Sequence, residues 1–142
     1  MSDAEIKGFF AYPSTPPAVA EVIRNAAERI NVRPDLKILL WQDLRAGGKI
    51  IIREICDSIE KSVLFLSDLT GVNPNVMFEL GFAVARNKRA WVVLDTTRSS
   101  AKRDYDQLRL LTGIGYCSYT NSQDIVNGFF RDQPFDDLNG TL

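Results

Sequence analysis

A chain of 142 residues, 45% apolar and 25% charged, supports one hydrophobic core and is no disordered tail, collagen-like rod or coiled coil. Its 17 Lys+Arg against 18 Asp+Glu leave a net charge of -1, without the basic excess of a protein that grips nucleic-acid phosphates. Histidine is absent, which excludes a Ser-His-Asp triad, a Cys-His pair and any histidine metal ligand.

The chain then alternates short apolar runs, which predict strands covered on both faces, with segments of helical period. Ile6–Tyr12 is the first strand, followed by a helix from about Pro16 to Ile30 with Val19, Val22, Ile23, Ala26 and Ile30 on one stripe. Leu36–Trp41 is the second strand. The helix after it, from about Ile50 to Lys61, turns Ile52, Ile55, Cys56 and Ile59 inward. Val63–Ser67 precedes a helix over Pro74–Asn87, and Ala90–Leu94 is the fourth strand. A shorter helix over Tyr105–Leu111 is stopped by Gly113, and Ile114–Tyr119 and Ser122–Phe130 close the chain as strand and helix.

Strict alternation implies right-handed crossovers and a parallel sheet. The expected fold is α/β: a flavodoxin-like three-layer sandwich whose five-stranded parallel sheet is ordered 2-1-3-4-5. Ligands of such sheets bind beyond the carboxyl ends of the strands, near the topological switch point. The segments to watch are therefore 11–15, 41–48, 68–75, 95–103 and 119–121.

Familiar tenants of this fold leave no trace in those segments. After the first strand the chain reads Phe10-Ala11-Tyr12-Pro13-Ser14, not GxGxxG, and no GxxxxGK[ST] loop occurs. Of the acidic and basic positions of a phospho-accepting receiver, Asp68 alone matches. Cys56 and Cys117 form no CxxC and suit small buried thiols in a reducing cytoplasm. No run of 18 apolar residues occurs, and Met1-Ser2-Asp3-Ala4-Glu5 does not read as a signal peptide. A soluble cytoplasmic domain over residues 1–142 is expected, with no metal, no membrane contact and no direct nucleic-acid partner.

The informative stretch runs from Asp68 to Phe82. Asn73 suits an N-cap and Pro74 the first helical position. From Val76 to Ala85 every residue is apolar or glycine except Glu79. A helix apolar nearly all round is expected to be largely buried, and a glutamate within it needs a partner or a task. The capping-box position belongs to Val76, so Glu79 is not a capping residue. The structural alternatives are a solvated Glu79, on the azimuth of Asn75 and Arg86, or an ion pair with Arg45. The functional reading is a carboxylate at the binding edge, with Asn75 one turn earlier on the same face.

Two other loops can contribute. Trp41 either packs in the core or stacks on a base or nicotinamide ring. Arg45 can meet a phosphate beside a mobile Gly47-Gly48 loop. Tyr12-Pro13-Ser14 is either a plain turn or the approach to a phosphate-receiving helix N-terminus. Asp68, Asn73 and Asn75 either contact ligand or cap the helix.

On these residues the chain resembles the TIR-like and nucleoside 2-deoxyribosyltransferase-like superfamily. Asn73-Pro74-Asn75-Val76-Met77-Phe78-Glu79-Leu80-Gly81-Phe82-Ala83 is similar to its glutamate helix. Phe9–Ser14 resembles the first TIR strand and loop, Trp41–Asp43 with Arg45–Gly48 the second strand end and its long loop, and Ile55–Ser67 the helix and strand before the glutamate. The resemblance spans about 120 residues.

It implies a catalytic role for Glu79 in breaking an N-glycosidic bond. It also implies a substrate-binding set of Phe10, Ala11, Tyr12, Ser14, Trp41, Asp43, Arg45, Asp68, Asn73 and Asn75. Where many TIR domains carry Ser-x-Trp-Cys, this chain has Asn73-Pro74-Asn75-Val76. An aromatic group near nicotinamide would then come from Tyr12, Phe10 or Trp41. The implied activity is that of an NAD+ glycohydrolase giving ADP-ribose or a cyclic product, with NAD+ as substrate and no cofactor. The implied setting is bacterial anti-phage defence, with activation by TIR-TIR self-association and a fused or separate sensor domain. The alternatives are a nucleoside 2-deoxyribosyltransferase or nucleoside hydrolase, and a non-catalytic signalling scaffold.

Overall fold

Each apolar run pairs with its neighbours in parallel. In the computed structural model, which describes residues 5–44, 51–98, 100–107 and 115–136, the elements come in strict alternation. They are β1 (Ile6–Ala11), α1 (Pro17–Ile30), β2 (Leu36–Leu40), α2 (Ile51–Lys61), β3 (Leu64–Asp68), α3 (Pro74–Ala85), β4 (Arg89–Asp95), α4 (Ala101–Asp106), β5 (Cys117–Tyr119) and α5 (Ser122–Asp132). A single 3-10 turn, Trp41–Asp43, follows β2. The five-stranded sheet is all parallel and ordered β2-β1-β3-β4-β5, as expected. At its centre Phe9 of β1 lies opposite both Leu39 and Phe65.

Alternation along the strands builds two apolar layers. Phe10, Ile38, Leu66 and Val93 share one with Val19, Ile23 and Ala26 of α1 and Ile125 and Phe129 of α5. Phe9, Phe65, Val92 and Leu94 share the other with Ile55 and Ile59 of α2 and Val76, Leu80 and Ala83 of α3. Burying a side chain of this size is worth about 1.5–3 kcal/mol, so these layers hold the strand ends that carry the loops.

The structure corrects three expectations. On α2, Ile55 and Ile59 are buried, but Ile52 is exposed and Cys56 only half-buried. On α3 one face stays open to solvent, with Phe78 and Val84 about half exposed, so an apolar helix does not here mean a fully covered one. The fourth helix begins earlier than expected because Ala101 and Tyr105, one turn apart, supply its buried stripe. Residues 108–114, including the expected end of that helix, Gly113 and the start of the last strand, lie outside the described residues. No helix among the described residues is long and apolar enough to cross a membrane. Nor do the described residues gather three or more Cys, Asp or Glu side chains that could hold a metal ion.

Candidate active site

Beyond the carboxyl ends of β1, β2 and β3, where the strand order reverses, a cavity of about 330 Å³ opens. Tyr12, Pro13 and Ser14 line it from the loop after β1, and Trp41 from the end of β2. Ile51, Ile52 and Ile55 come from α2, and Asn73, Asn75, Phe78 and Glu79 from the start of α3. A site at a switch point with a few polar groups among apolar ones is the usual setting for a small molecule.

Local sequence sets the aim of α3. Gly71 (φ 76) and Val72 (φ 49) carry the chain through the left-handed region. That conformation is costly for a β-branched residue. Asn73 then caps the helix, its side-chain oxygen accepting from the Asn75 and Val76 amides at 2.9 and 3.2 Å. Pro74 follows at the first helical position. Val76, Leu80 and Ala83 seat the helix on the sheet, and that phase leaves Glu79 at the cavity wall.

Glu79 is 7% exposed, and among the described residues its Oε2 has no hydrogen-bond partner. Burial pushes its pKa up to about 7. A buried acceptor without a donor costs about 1–3 kcal/mol, and such groups call for an explanation. The solvated alternative fails on burial. Arg86, at the C-cap of α3, pairs with Glu60. The ion pair with Arg45 falls outside the described residues.

The other sequence-derived residues divide. Tyr12, Ser14, Trp41, Asn73 and Asn75 come together with Glu79 around the cavity. Tyr12 packs edge-on to Phe10 and tilts against Trp41, ring centroids 6.4 and 6.0 Å apart. Its hydroxyl is buried and has no partner among the described residues, and burial raises its pKa to about 12, which keeps it neutral. Trp41 is half-buried, so both expectations meet in it: it packs on the core and still lines the cavity.

Phe10, Ala11, Asp43 and Asp68 are not brought to the cavity. Phe10 and Ala11 are wholly buried strand residues, one in each apolar layer. Asp43 locks the turn after β2, with Oδ2 accepting from the Leu40 amide at 3.3 Å and Oδ1 3.5 Å from Arg24. Asp68 is fully buried. It accepts from the Thr70 amide at 2.9 Å and from the Tyr119 hydroxyl at 2.6 Å. Burial pushes the Asp68 pKa up against those hydrogen bonds, and Tyr119 is held protonated beside it. Arg45 lies outside the described residues.

Sequence reasoning missed Pro13, Phe78 and the three isoleucines as cavity walls. Phe78 stood next to Glu79 in the motif, but an unbroken apolar run carries no phase to say which residue faces out. The assembled site offers one carboxylate, aromatic and aliphatic walls, and hydroxyl and amide groups. It can offset positive charge developing on a sugar and bind sugar hydroxyls.

The chain matches no protein-family model and no curated protein sequence. Solved structures share its architecture. A conserved protein from Enterococcus faecalis V583 superposes with a TM-score of 0.63 at 17% identity, over 91% of this chain and 99% of that one. The CMP N-glycosidase BcmB of Clostridium botulinum superposes with a TM-score of 0.54 at 15% identity, over 86% of this chain and 98% of that one. At such identities the likeness establishes the fold: an α/β domain with a five-stranded parallel sheet ordered 2-1-3-4-5, an architecture also used by a nucleotide N-glycosidase.

Proposed function

We propose that this chain cleaves the N-glycosidic bond of a nucleotide, with Glu79 as the carboxylate beside the sugar, and that the nucleotide is NAD+. The observation that carries this reading is the buried Glu79 carboxylate at the wall of a switch-point cavity, one oxygen without a partner among the described residues. The resemblance of the Asn73–Ala83 segment to the TIR glutamate helix supports NAD+ as the substrate. The architecture shared with a CMP N-glycosidase supports the broader reaction class.

The chemistry asks little of the protein beyond what these residues offer. When the bond from ribose C1 to the pyridinium nitrogen breaks, its electron pair stays on nitrogen and nicotinamide leaves neutral. No proton is donated, so a chain without histidine is not handicapped. Positive charge builds on the ribose, and an ionised carboxylate in an apolar site offsets it or attacks C1 directly. Water then adds at C1 and loses a proton, giving ADP-ribose; an adenine nitrogen as acceptor gives the cyclic product. Ser14, Asn73 and Asn75 bind hydroxyls, while Trp41 and Phe78 flank the base. Exposed Ile51, Ile52 and Phe78 at the cavity rim suit a partner copy that closes the site, in line with activation by self-association. Loss of cellular NAD+ would be the means of an anti-phage effector.

The test is nicotinamide release from NAD+ by concentrated protein, in the wild type and in Glu79→Gln. The substitution should lower turnover by about 100-fold or more. In the wild type, kcat/KM should climb as pH rises through about 7, because the ionised form acts. Equal release by both proteins would overturn the role of Glu79. A second reading, a nucleoside or nucleoside monophosphate hydrolase or deoxyribosyltransferase, is favoured by the cavity's size. Its volume of about 330 Å³ lies at the low end for small-molecule sites and suits one nucleoside unit. Base release from CMP or deoxynucleosides, with NAD+ untouched even when the domain is clustered, would establish that reading instead.

A further inference from the structure

A second cavity, of about 210 Å³, adjoins the one that holds Glu79, and Pro13 and Asn73 border both. Its other walls include Thr15 after β1, Thr70 and Gly71 after β3, and Arg98 after β4. Among the described residues lining the first cavity there is no Lys or Arg. The adjoining cavity contains one, the Arg98 guanidinium.

We propose that this second cavity binds a phosphate group of the substrate through Arg98, while the cavity of Glu79 holds sugar and base. The proposal rests on the nucleotide reading above and extends it to a specificity determinant. Arg98 is available for such a contact. Its side chain is 42% exposed, and its Nε lies 3.6 Å from Asp95 Oδ2. That ion pair is loose and partly solvated, so it holds the side chain weakly. A guanidinium presents five donors in a planar fork, and one contact on its Nε edge leaves others for phosphate oxygens. Asp95 is itself occupied: its Oδ1 accepts from the Thr97 amide and hydroxyl at 3.0 and 2.6 Å. Its negative charge is therefore turned toward Arg98 and Thr97.

The walls are also held in place relative to each other. Thr70 Oγ1 accepts from the Asp95 amide at 2.8 Å, which ties the loop after β3 to the strand end that carries Arg98. The Thr70 amide in turn donates to the buried Asp68. At Gly71 a Cβ would meet no atom within 4 Å, so the wall there is open space next to bare backbone. A site assembled before the ligand arrives loses less on binding. Because Pro13 and Asn73 stand between the cavities, a ribose in one and a phosphate in the other are neighbours, as they are in a nucleotide.

The experiment measures binding by calorimetry in the Glu79→Gln background, where substrates are expected to bind without turning over. Nicotinamide riboside, nicotinamide mononucleotide, NAD+ and inorganic pyrophosphate are titrated into that protein and into versions that also carry Arg98→Ala, Arg98→Lys or Arg103→Ala. Arg103 is 74% exposed and outside both cavities, so it controls for general charge. Arg98→Ala should weaken the phosphate-bearing ligands tenfold or more and leave the riboside within twofold. Arg98→Lys should retain part of the affinity, and Arg103→Ala all of it. Loss for the mononucleotide and NAD+ alike marks a 5′-phosphate subsite; loss for NAD+ alone marks the second phosphate of a pyrophosphate. Unchanged affinity for every phosphate-bearing ligand in Arg98→Ala overturns the proposal. If no nicotinamide ligand binds, the NAD+ reading fails by itself and pyrophosphate decides: Arg98-dependent binding upholds the subsite, and its absence overturns it.

Discussion

Glu79 is held buried at a cost in stability. Its carboxyl has a pKa of about 7 in the folded protein against 4.5 in a solvated chain, because burial penalises the charged form. Between those two values the native state keeps a proton that the unfolded chain has released. Stability therefore falls as pH rises across that window, and above pH 7 the full penalty is present. Glu79→Gln removes the charge at nearly constant shape. It should stabilise the protein at pH 8, on the order of 3 kcal/mol, with the gain fading toward pH 4.5. Urea denaturation of both proteins at pH 5 and pH 8 checks this, and an identical difference at the two values would show that the carboxylate is not desolvated. At this scale the residue was legible in the sequence because it is a lone charge in an apolar run. Phe10, Asp43 and Asp68 were not, since position after a strand does not tell a wall from a core residue or a turn lock.

At the scale of the element, α3 decides where that carboxylate stands. Its start was readable, because an asparagine followed by proline can satisfy the first amides and enter the helix without strain. The side chain of Asn73 accepts from both the Asn75 and Val76 amides. Asn73→Ala should cost about 1 kcal/mol of stability and loosen the turn before Glu79; under the proposed NAD+ reading it should lower nicotinamide release as well. Asn73→Asp, which can still accept both amides, should restore the stability. Thermal melts of the two variants against wild type provide the comparison, and full stability in the alanine variant would show the cap to be dispensable. The rotation of α3 was not readable. With apolar residues at nearly every position the helical period has no phase, and only packing on β3 and β4 turned Val76, Leu80 and Ala83 inward and left Phe78 and Val84 outside. On α2, where polar residues give the period a clear phase, Ile55 and Ile59 went inward as the stripe required, and Ile52 of the first turn ended at the cavity rim instead of in the core.

Across the whole molecule, a buried network fastens the far strand to the centre of the sheet. Tyr119 of β5 reaches over β4 to donate to Asp68 of β3, and Asp68 sets the turn from which both cavities are built. Tyr119→Phe leaves the Asp68 Oδ2 atom without that donor in a fully buried place. A loss of about 1.5–3 kcal/mol in urea denaturation is expected, since hydrogen bonds to charged or ionisable groups lie at the strong end. A loss under about 0.5 kcal/mol, the range of ordinary surface substitutions, would show that the network contributes little.

Alternating apolar runs and helical periods determined by themselves that this protein is an α/β domain with a parallel sheet in the order 2-1-3-4-5. Sheet pairing and handed crossovers leave few other ways to bury those faces. A glutamate alone in an apolar helix likewise marked the candidate carboxylate, because burying charge is costly wherever it occurs. The tertiary structure alone decided which loop residues share a cavity with Glu79, which of them are locked in the core, and that Arg98 stands beside a second cavity. Those relations join segments of chain tens of residues apart, and local propensity carries no information about contacts that only the folded sheet brings together.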